Sequence, residues 1–247
     1  MNYGPASKYY DLFASMDDID FYRRLAVEHG RKALELGVGT GRVAIALAKA
    51  NVTVWGIDNS KYMLSVARQK LRKESNSVRK RVTLKLGDMR TFRLEETFPF
   101  IYLASSTFEH CTMERDQKKC LESAYNTLAR QGILAFDISQ PSEAKPDSVW
   151  WIDQREVSKE EEVVRMILSR RNRNTGIVSV NLFFDAYRNG KLKERYHEYG
   201  EARISSKEDV ARILEKAGFE VCELYGDFDG SPYNKGSQRA IFVAKKL

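Results

Sequence analysis

The feature that most constrains this chain is a change of hydrophobic period that recurs along residues 31–139. Short runs that are apolar on both faces alternate with longer runs that are apolar on one face, which is the pattern of a parallel sheet whose strands are joined by crossover helices. Lys32-Ala-Leu-Glu-Leu36 reads as the first strand, and Val43 to Lys49, with Val43, Ala44, Ala46, Leu47 and Ala48, as the helix that returns from it. Val52-Thr-Val-Trp-Gly-Ile57 is β-branched and apolar on both faces, as a strand covered from two sides must be. Ser60 to Arg72 follows as a helix capped by Ser60, with Met63, Leu64, Ala67 and Leu71 on its inner face. Val82 to Leu86, Phe100 to Ala104 and Gly132 to Asp137 add strands three to five, and Glu114 to Ala129 adds a helix. The expected fold is a doubly wound α/β core.

The rhythm breaks at Pro141-Ser-Glu-Ala-Lys-Pro146, a polar stretch with two prolines that neither helix nor strand tolerates easily. Val163 to Arg170, Ile177 to Arg188 and Leu192 to Ile204 then read as three strands rich in β-branched and aromatic residues. Asn189-Gly190 separates the last two, and both positions tolerate φ > 0, so a tight hairpin is expected there. These runs predict an antiparallel β insertion over residues 146–200, carried by a core made of residues 1–145 and 201–247. In the returning core, Ser205 or Ser206 caps a helix from Lys207 to Lys216 that ends at Gly218. Phe219 to Tyr225 and Arg239 to Lys245 are the closing strands.

With 247 residues, 43% hydrophobic and 30% charged, the composition is that of a soluble globular chain with one elaborated domain. No apolar run approaches the roughly 20 residues of a membrane span. Met1-Asn-Tyr-Gly-Pro5 lacks the layout of a signal peptide, so a cytoplasmic location is expected. Cys111, Cys120 and Cys222 show no CxxC spacing, which argues against disulfides and structural zinc and for buried or inert thiols; no metal is expected. The net charge of +7 is compatible with an anionic substrate and leaves nucleic acid open as a partner. Its basic residues gather at Arg68 to Arg81 and Arg165 to Arg173, but the first run holds no aromatic residue for base stacking, and a solvated helix face is its plainer reading.

The chemistry is signalled by Glu35-Leu-Gly37-Val-Gly39-Thr-Gly41, directly after a strand and directly before a helix. Glycines there let backbone N–H groups approach a ligand that side chains would hold away. Several nucleotide ligands use such a loop. In the dinucleotide fingerprint the third glycine comes one residue later than Gly41 does, so the spacing departs from it. Glu35 also puts a carboxylate at the strand end, where it would repel a pyrophosphate and favour a ligand with an ammonium group.

With Asp58 after the second strand and Asp88 after the third, the chain resembles the class I methyltransferases that use S-adenosylmethionine (SAM) and release S-adenosylhomocysteine (SAH). The resemblance covers residues 1–140 and 200–247 in order, and implies a Rossmann-like sheet of seven strands, mostly parallel, with the last one antiparallel. It implies that Glu35, Gly37 and Gly39 lie around the methionine part of SAM. Asp58 would take the ribose hydroxyls, with Asn59 and Met63 beside the adenine, while Asp88 and the Met89 N–H would read the adenine edge. Ser105 corresponds to a position at the methionine end, and Tyr9-Tyr10-Asp11-Leu12-Phe13 to a segment that folds over the cofactor and lends it a tyrosine, here Tyr10. The chain departs from the family at Thr97-Phe98-Pro99-Phe100, where an aspartate often opens strand four, and at Leu128-Ala-Arg-Gln-Gly132, where altered turns are expected.

Ser105-Ser106-Thr107-Phe108 stands where the tetrad of base and amide methyltransferases would lie, which argues against those acceptors. Glu109 and His110 just beyond are the acid–base candidates, and His110, with an imidazole that titrates near neutrality, is the expected base; a packing or hydrogen-bonding role is the alternative. In Tyr196-His197-Glu198-Tyr199 alternate residues face opposite ways, so one face can line a pocket or both can belong to a satellite core. Asp227 to Tyr233 is similar to a loop near the substrate opening of small-molecule members. The insertion resembles the β cap of sugar and small-metabolite N-methyltransferases, which can build the acceptor site, supply a homodimer contact, or both. The expected activity is methylation of nitrogen or oxygen on a small molecule. RNA or protein methylation, a silent SAM-binding subunit and a dinucleotide oxidoreductase are the rivals.

Overall fold

The structure is a computed structural model that describes residues 3–140 and 147–247. The linker expected at Pro141 to Pro146, and with it the boundary between core and insertion, lies outside the described residues. After a 3-10 turn at Pro5–Leu12, helix α1 (Ile19–Glu28) leads into β1 (Lys32–Leu36), α2 (Arg42–Lys49), β2 (Thr53–Asp58), α3 (Lys61–Arg72), the short α4 (Asn76–Arg79) and β3 (Val82–Leu86). Strand β4 (Phe98–Leu103), helix α5 (Glu114–Thr127) and strand β5 (Leu128–Ser139) continue the winding. Beyond the insertion, α6 (Lys207–Lys216), β10 (Phe219–Tyr225) and β11 (Arg239–Lys246) complete it.

Seven strands form one sheet in the order β10-β11-β5-β4-β1-β2-β3. Strand β1 pairs in parallel with β2 on one side and β4 on the other, while β11 runs antiparallel between β5 and β10. The strand order therefore reverses between β1 and β4, and their carboxyl ends open the crevice in which sheets of this type bind ligands. The apolar stripes explain why the winding holds. Phe21, Tyr22 and Leu25 of α1, Val43 and Leu47 of α2 and Leu64 of α3 are buried in one cluster on the sheet, and Leu121 of α5 with Val210, Ile213 and Leu214 of α6 in another. Ser60 caps α3 by accepting from the Met63 N–H, and Ser206 caps α6 by accepting from the Asp209 N–H.

The inserted sheet is a meander of four antiparallel strands, β6 (Ser148–Glu156), β7 (Glu161–Asn172), β8 (Ile177–Arg188) and β9 (Lys191–Arg203). The turn at Asn189-Gly190 has φ of 50° and 69°, as its sequence predicts. Besides short turns such as α4, the structure departs from the sequence reading at three places. Strand β6 is an addition: Trp150, Trp151 and Ile152 are all exposed on this edge strand, so no alternation marks it. Helix α1 is a second addition. The third departure is at residues 128–131, expected as helix end and turn, which already belong to β5; Leu128 pairs with Phe98, and Gln131 takes a φ of 61° to keep the strand in the sheet.

The turn at Pro5–Leu12 joins the core to the inserted sheet. On the sheet side, Ala6 is buried with Val163, Leu182 and Phe184, the Ala6 N–H donates to Glu198 at 3.3 Å and the Tyr9 hydroxyl donates to Glu194 at 2.8 Å. On the core side, Asp11 accepts from the Thr40 hydroxyl and pairs with Lys70, and the Ser60 hydroxyl donates to the Tyr3 carbonyl. Cys111 and Cys120 are buried, whereas Cys222 is exposed on β10. Arg68, Arg72, Lys73, Arg79 and Lys80 of the first basic run are exposed. Among the described residues no helix is long and apolar enough to cross a membrane, and no group of His, Cys, Asp and Glu side chains is placed to hold a metal ion.

Candidate active site

The glycine loop leaves β1 with Gly37, Gly39 and Gly41 at φ of 78°, 54° and 73°, in the left-handed region that side chains disfavour. At Gly37 the second reason is contact, since a Cβ there would lie 2.3 Å from Cγ2 of Thr107. At Gly39 it is open space: the nearest heavy atom to a Cβ would be the Gly37 carbonyl oxygen at 4.0 Å, so glycine keeps free a floor that any side chain would fill. Asp58 holds the loop, accepting from the Gly39 N–H at 2.8 Å with one oxygen and from the Ser60 N–H at 2.7 Å with the other. Burial raises its pKa and these two donors oppose the rise.

A cleft of about 250 Å³ opens beside this loop. Tyr10, Gly37, Gly39, Asp58, Asn59, Met63, Asp88, Met89, Ser105 and His110 all line it, so the structure brings together every expected site residue except Glu35. Glu35 lies behind it, on a cavity of about 40 Å³ shared with Tyr10, Gly37, Arg42 and Ser105. It accepts from the Tyr102 hydroxyl at 2.9 Å, and burial pushes its carboxyl up to about 8. The fixed negative charge assumed from sequence is thus corrected to a carboxyl that holds its proton at neutral pH until a cation approaches. Asp88 is the opposite case. Arg90 grips it from two residues away and holds its carboxyl below the usual range.

Four residues of the cleft, Tyr3, Tyr10, Ser105 and His110, also line a second cavity of about 500 Å³. Its other walls come from all parts of the chain: Phe13 from the N-terminal segment, Glu109 and Asp137 from the core, Arg165, Ile167, Val180 and Leu182 from the inserted sheet, and Phe228 from the loop before β11. None of Tyr196, His197, Glu198 and Tyr199 lines either cavity. Tyr196 packs against Tyr9 and Glu198 accepts from the Ala6 N–H, while His197 stacks on Phe183 and Tyr199 is exposed. That quartet therefore serves the inserted sheet and its seam with the N-terminal segment.

Glu109 and His110 exchange the proton affinities their free side chains would have. The His110 ring lies with Nδ1 3.3 Å from the Glu201 carbonyl oxygen, and burial pulls it down to about 4. Glu109 accepts from the Ser139 N–H at 2.5 Å, and burial pushes it up to about 8. Asp137 accepts from both the N–H and the hydroxyl of Ser106 and from the Tyr22 hydroxyl, and burial raises it as well. Sequence reasoning missed the buried fork between Arg42 and Asp18, in which Arg42 also donates to Ser105 at 2.8 Å. It missed Tyr3, Arg90, Thr107 and Arg165 too. Of these only Arg90 carried a local signal, lying two residues from Asp88.

A doubly wound sheet, a glycine loop at its switch point and two carboxylates at the ends of β2 and β3 define an α/β enzyme that binds a nucleoside. Comparison with known proteins narrows this. Residues 33–132 match a family described as a methyltransferase domain. The chain is 27% identical to YqeM of Bacillus subtilis (strain 168), assigned as a methyltransferase, over 89% of this chain and 85% of that protein. It is 26% identical to the glycine/sarcosine N-methyltransferase of Aphanothece halophytica over 94% and 83% of the two chains. Among solved structures it is similar to the CcbJ methyltransferase from Streptomyces caelestis, with a TM-score of 0.82 and 21% identity, covering 99% of this chain and 100% of that one. It is similar also to SAM-bound CalS10, an amino pentose methyltransferase from Micromonospora echinaspora, with a TM-score of 0.75 and 19% identity over 100% and 98%. The chain is a class I SAM-dependent methyltransferase, and SAM is its cofactor. The open floor at Gly39 and the carboxylates on the cleft wall suit SAM's parts: room beside the loop for the methionine group and acceptors for hydroxyl and amino protons.

Proposed function

We propose that this enzyme transfers the methyl group to an amine nitrogen of a small molecule held in the 500 Å³ cavity, with SAH as the second product. The observation that carries the reading is that this cavity shares Tyr3, Tyr10, Ser105 and His110 with the cofactor cleft and is walled on its far side by the inserted sheet. Residues 1–145 and 201–247 then form the cofactor-binding core and residues 146–200 the cap. A walled chamber suits a small molecule better than a polymer. Carboxyls on its floor, at Glu109 and Asp137, and aromatic rings at Tyr3, Tyr10, Phe13 and Phe228 suit an amine. The glycine/sarcosine and amino pentose enzymes, whose names carry amine acceptors, support the same choice.

SAM supplies an activated methyl group, so the protein's part is to align the acceptor and to accept its proton. In the cofactor cleft Asp58 takes the ribose hydroxyls, with Asn59 and Met63 beside the adenine, and Asp88 and the Met89 N–H read the adenine edge. Gly37, Gly39, Glu35, Ser105 and Tyr10 surround the methionine end. Glu109, whose proton affinity is tuned toward neutral pH, takes the amine proton, and His110, neutral at that pH, shapes the boundary between the two chambers. Calorimetry with SAM and with NAD, followed by a labelled-methyl assay over amines, alcohols and RNA at two salt concentrations, tests this. Binding of SAM and transfer to amines is expected. Transfer to RNA alone, with affinity falling steeply with salt, would replace the reading, and tight SAM binding with no transfer would point to a silent subunit.

A further inference from the structure

One donor at the wall of the acceptor chamber is left without a partner among the described residues. Arg165 lies on β7 and lines the chamber together with Ile167, Val180 and Leu182. Its guanidinium is fixed on two sides: it pairs with Asp153 of the neighbouring strand β6, and its plane lies over the Phe13 ring at 4.5 Å. Its Nε is nevertheless buried with no hydrogen-bond partner among the described residues. Buried N–H groups in folded proteins are nearly always paired, and one left over at the wall of a binding cavity points to a partner that arrives with a ligand. A guanidinium held in a fixed orientation is suited to an oxyanion, which accepts from its flat edge. The chamber is also asymmetric. Carboxyls occupy the core wall, at Glu109 and Asp137, and the arginines of that wall, Arg42 and Arg239, pair with Asp18 and with Asp17 and Asp227, whereas Arg165 projects from the cap with its Nε unpartnered among the described residues.

We propose that Arg165 is an anion-binding residue of the acceptor site and that the acceptor is an amine carrying an oxyanion, carboxylate or phosphate. This rests on the small-molecule reading above. The anionic group docks on Arg165 under the cap, and the amine is thereby directed to the core wall, where Glu109 and the partition shared with the cofactor cleft lie. Arg165 acts on specificity and touches no reacting atom.

Two matched pairs of probes separate the sources of the charge: glycine against glycinamide for a carboxylate, and glucosamine 6-phosphate against glucosamine for a phosphate. Each is titrated into the SAH-loaded enzyme by calorimetry and assayed for methyl transfer from labelled SAM. In at least one pair the anionic member should bind about tenfold to a hundredfold more tightly, as a charge-assisted hydrogen bond allows. Arg165→Gln should erase that preference, and Arg165→Lys, which keeps the charge but loses the fork, should retain part of it. Both variants should bind SAM as the wild type does, which shows that they are folded. Equal binding within both pairs, a preference that survives Arg165→Gln, or no binding by either anionic amine overturns the proposal. Methylation of amines regardless of their charge would overturn it while leaving the small-molecule reading intact. SAM binding with no transfer to any amine or alcohol would remove that reading itself.

Discussion

Replacing Glu109 by glutamine should weaken catalysis and strengthen the fold, and the second effect has a definite dependence on pH. Glu109 is buried at 6% exposure, and its carboxyl keeps its proton up to about 8 in the folded protein, against a usual value of 4.5. Between those values the folded state binds a proton that the unfolded chain has released. Raising the pH therefore draws the equilibrium toward the unfolded chain, and the stabilisation that is complete below about 4.5 is lost progressively up to about 8. At about 1.4 kcal/mol per pH unit the loss is about 3 kcal/mol by pH 7 and at most about 5 kcal/mol above pH 8. The amide of Glu109→Gln has no such proton to lose and keeps an oxygen for the Ser139 N–H. Glu35, also raised to about 8, is present in both proteins and cancels in their difference. Urea or thermal melts from pH 5 to pH 9 should show the variant gaining on the wild type as the pH rises, by about 5–15 °C at the alkaline end, with about 2–4 °C per kcal/mol for a chain of this size. Turnover should fall in the same variant, and the wild-type rate should rise with pH through about 8. Parallel stability curves over that range would refute the buried-carboxyl argument, and an unchanged turnover would remove Glu109 from proton transfer.

Asp58→Ala removes the acceptor of the Gly39 and Ser60 N–H bonds together with the proposed ribose contacts. At about 1.5–3 kcal/mol for each charge-assisted bond, SAM affinity should fall about a hundredfold or more by calorimetry, and an unchanged Kd would sink the assignment. Gly37→Ala must fit a Cβ 2.3 Å from Thr107 at a φ of 78°, so loss of SAM binding and a lower melting temperature are expected; restoration of both by adding Thr107→Ser would show that the contact is the cause. Asp18→Asn leaves Arg42 buried without its counter-charge, and a cost of about 3–5 kcal/mol in urea unfolding is expected; a change below about 1 kcal/mol would mean that the fork contributes little.

The legible parts of this fold are those where chemistry is written next to itself in the chain. Strands β1 and β2 are covered on both faces and appear as short, mostly apolar runs, and the glycine loop and Asp58 sit at their ends, so fold and cofactor cleft could be read together. Strand β6 escaped because its period was never imposed: an edge strand with Trp150, Trp151 and Ile152 in solvent has no buried face to pattern. Helix α1 differs, since Phe21, Tyr22 and Leu25 do carry a helical period that marks its buried face. The acceptor chamber was the least legible. Arg42 meets Asp18, and Arg165 meets Phe13, only after the N-terminal segment has crossed the sheet ends, and no local spacing encodes such meetings. Likewise the order of proton affinity between Glu109 and His110 is decided by burial, a property of the finished fold.

The segment at Pro5–Leu12 hangs from both halves of the molecule, by Asp11 on Thr40 and Lys70 and by Lys8 and Tyr9 on Glu194, and Tyr10 within it and Tyr3 just before it line both cavities together with Ser105 and His110. A segment held on both sides in this way couples the two cavities, so a substitution that loosens its contacts with either half reaches the walls of both.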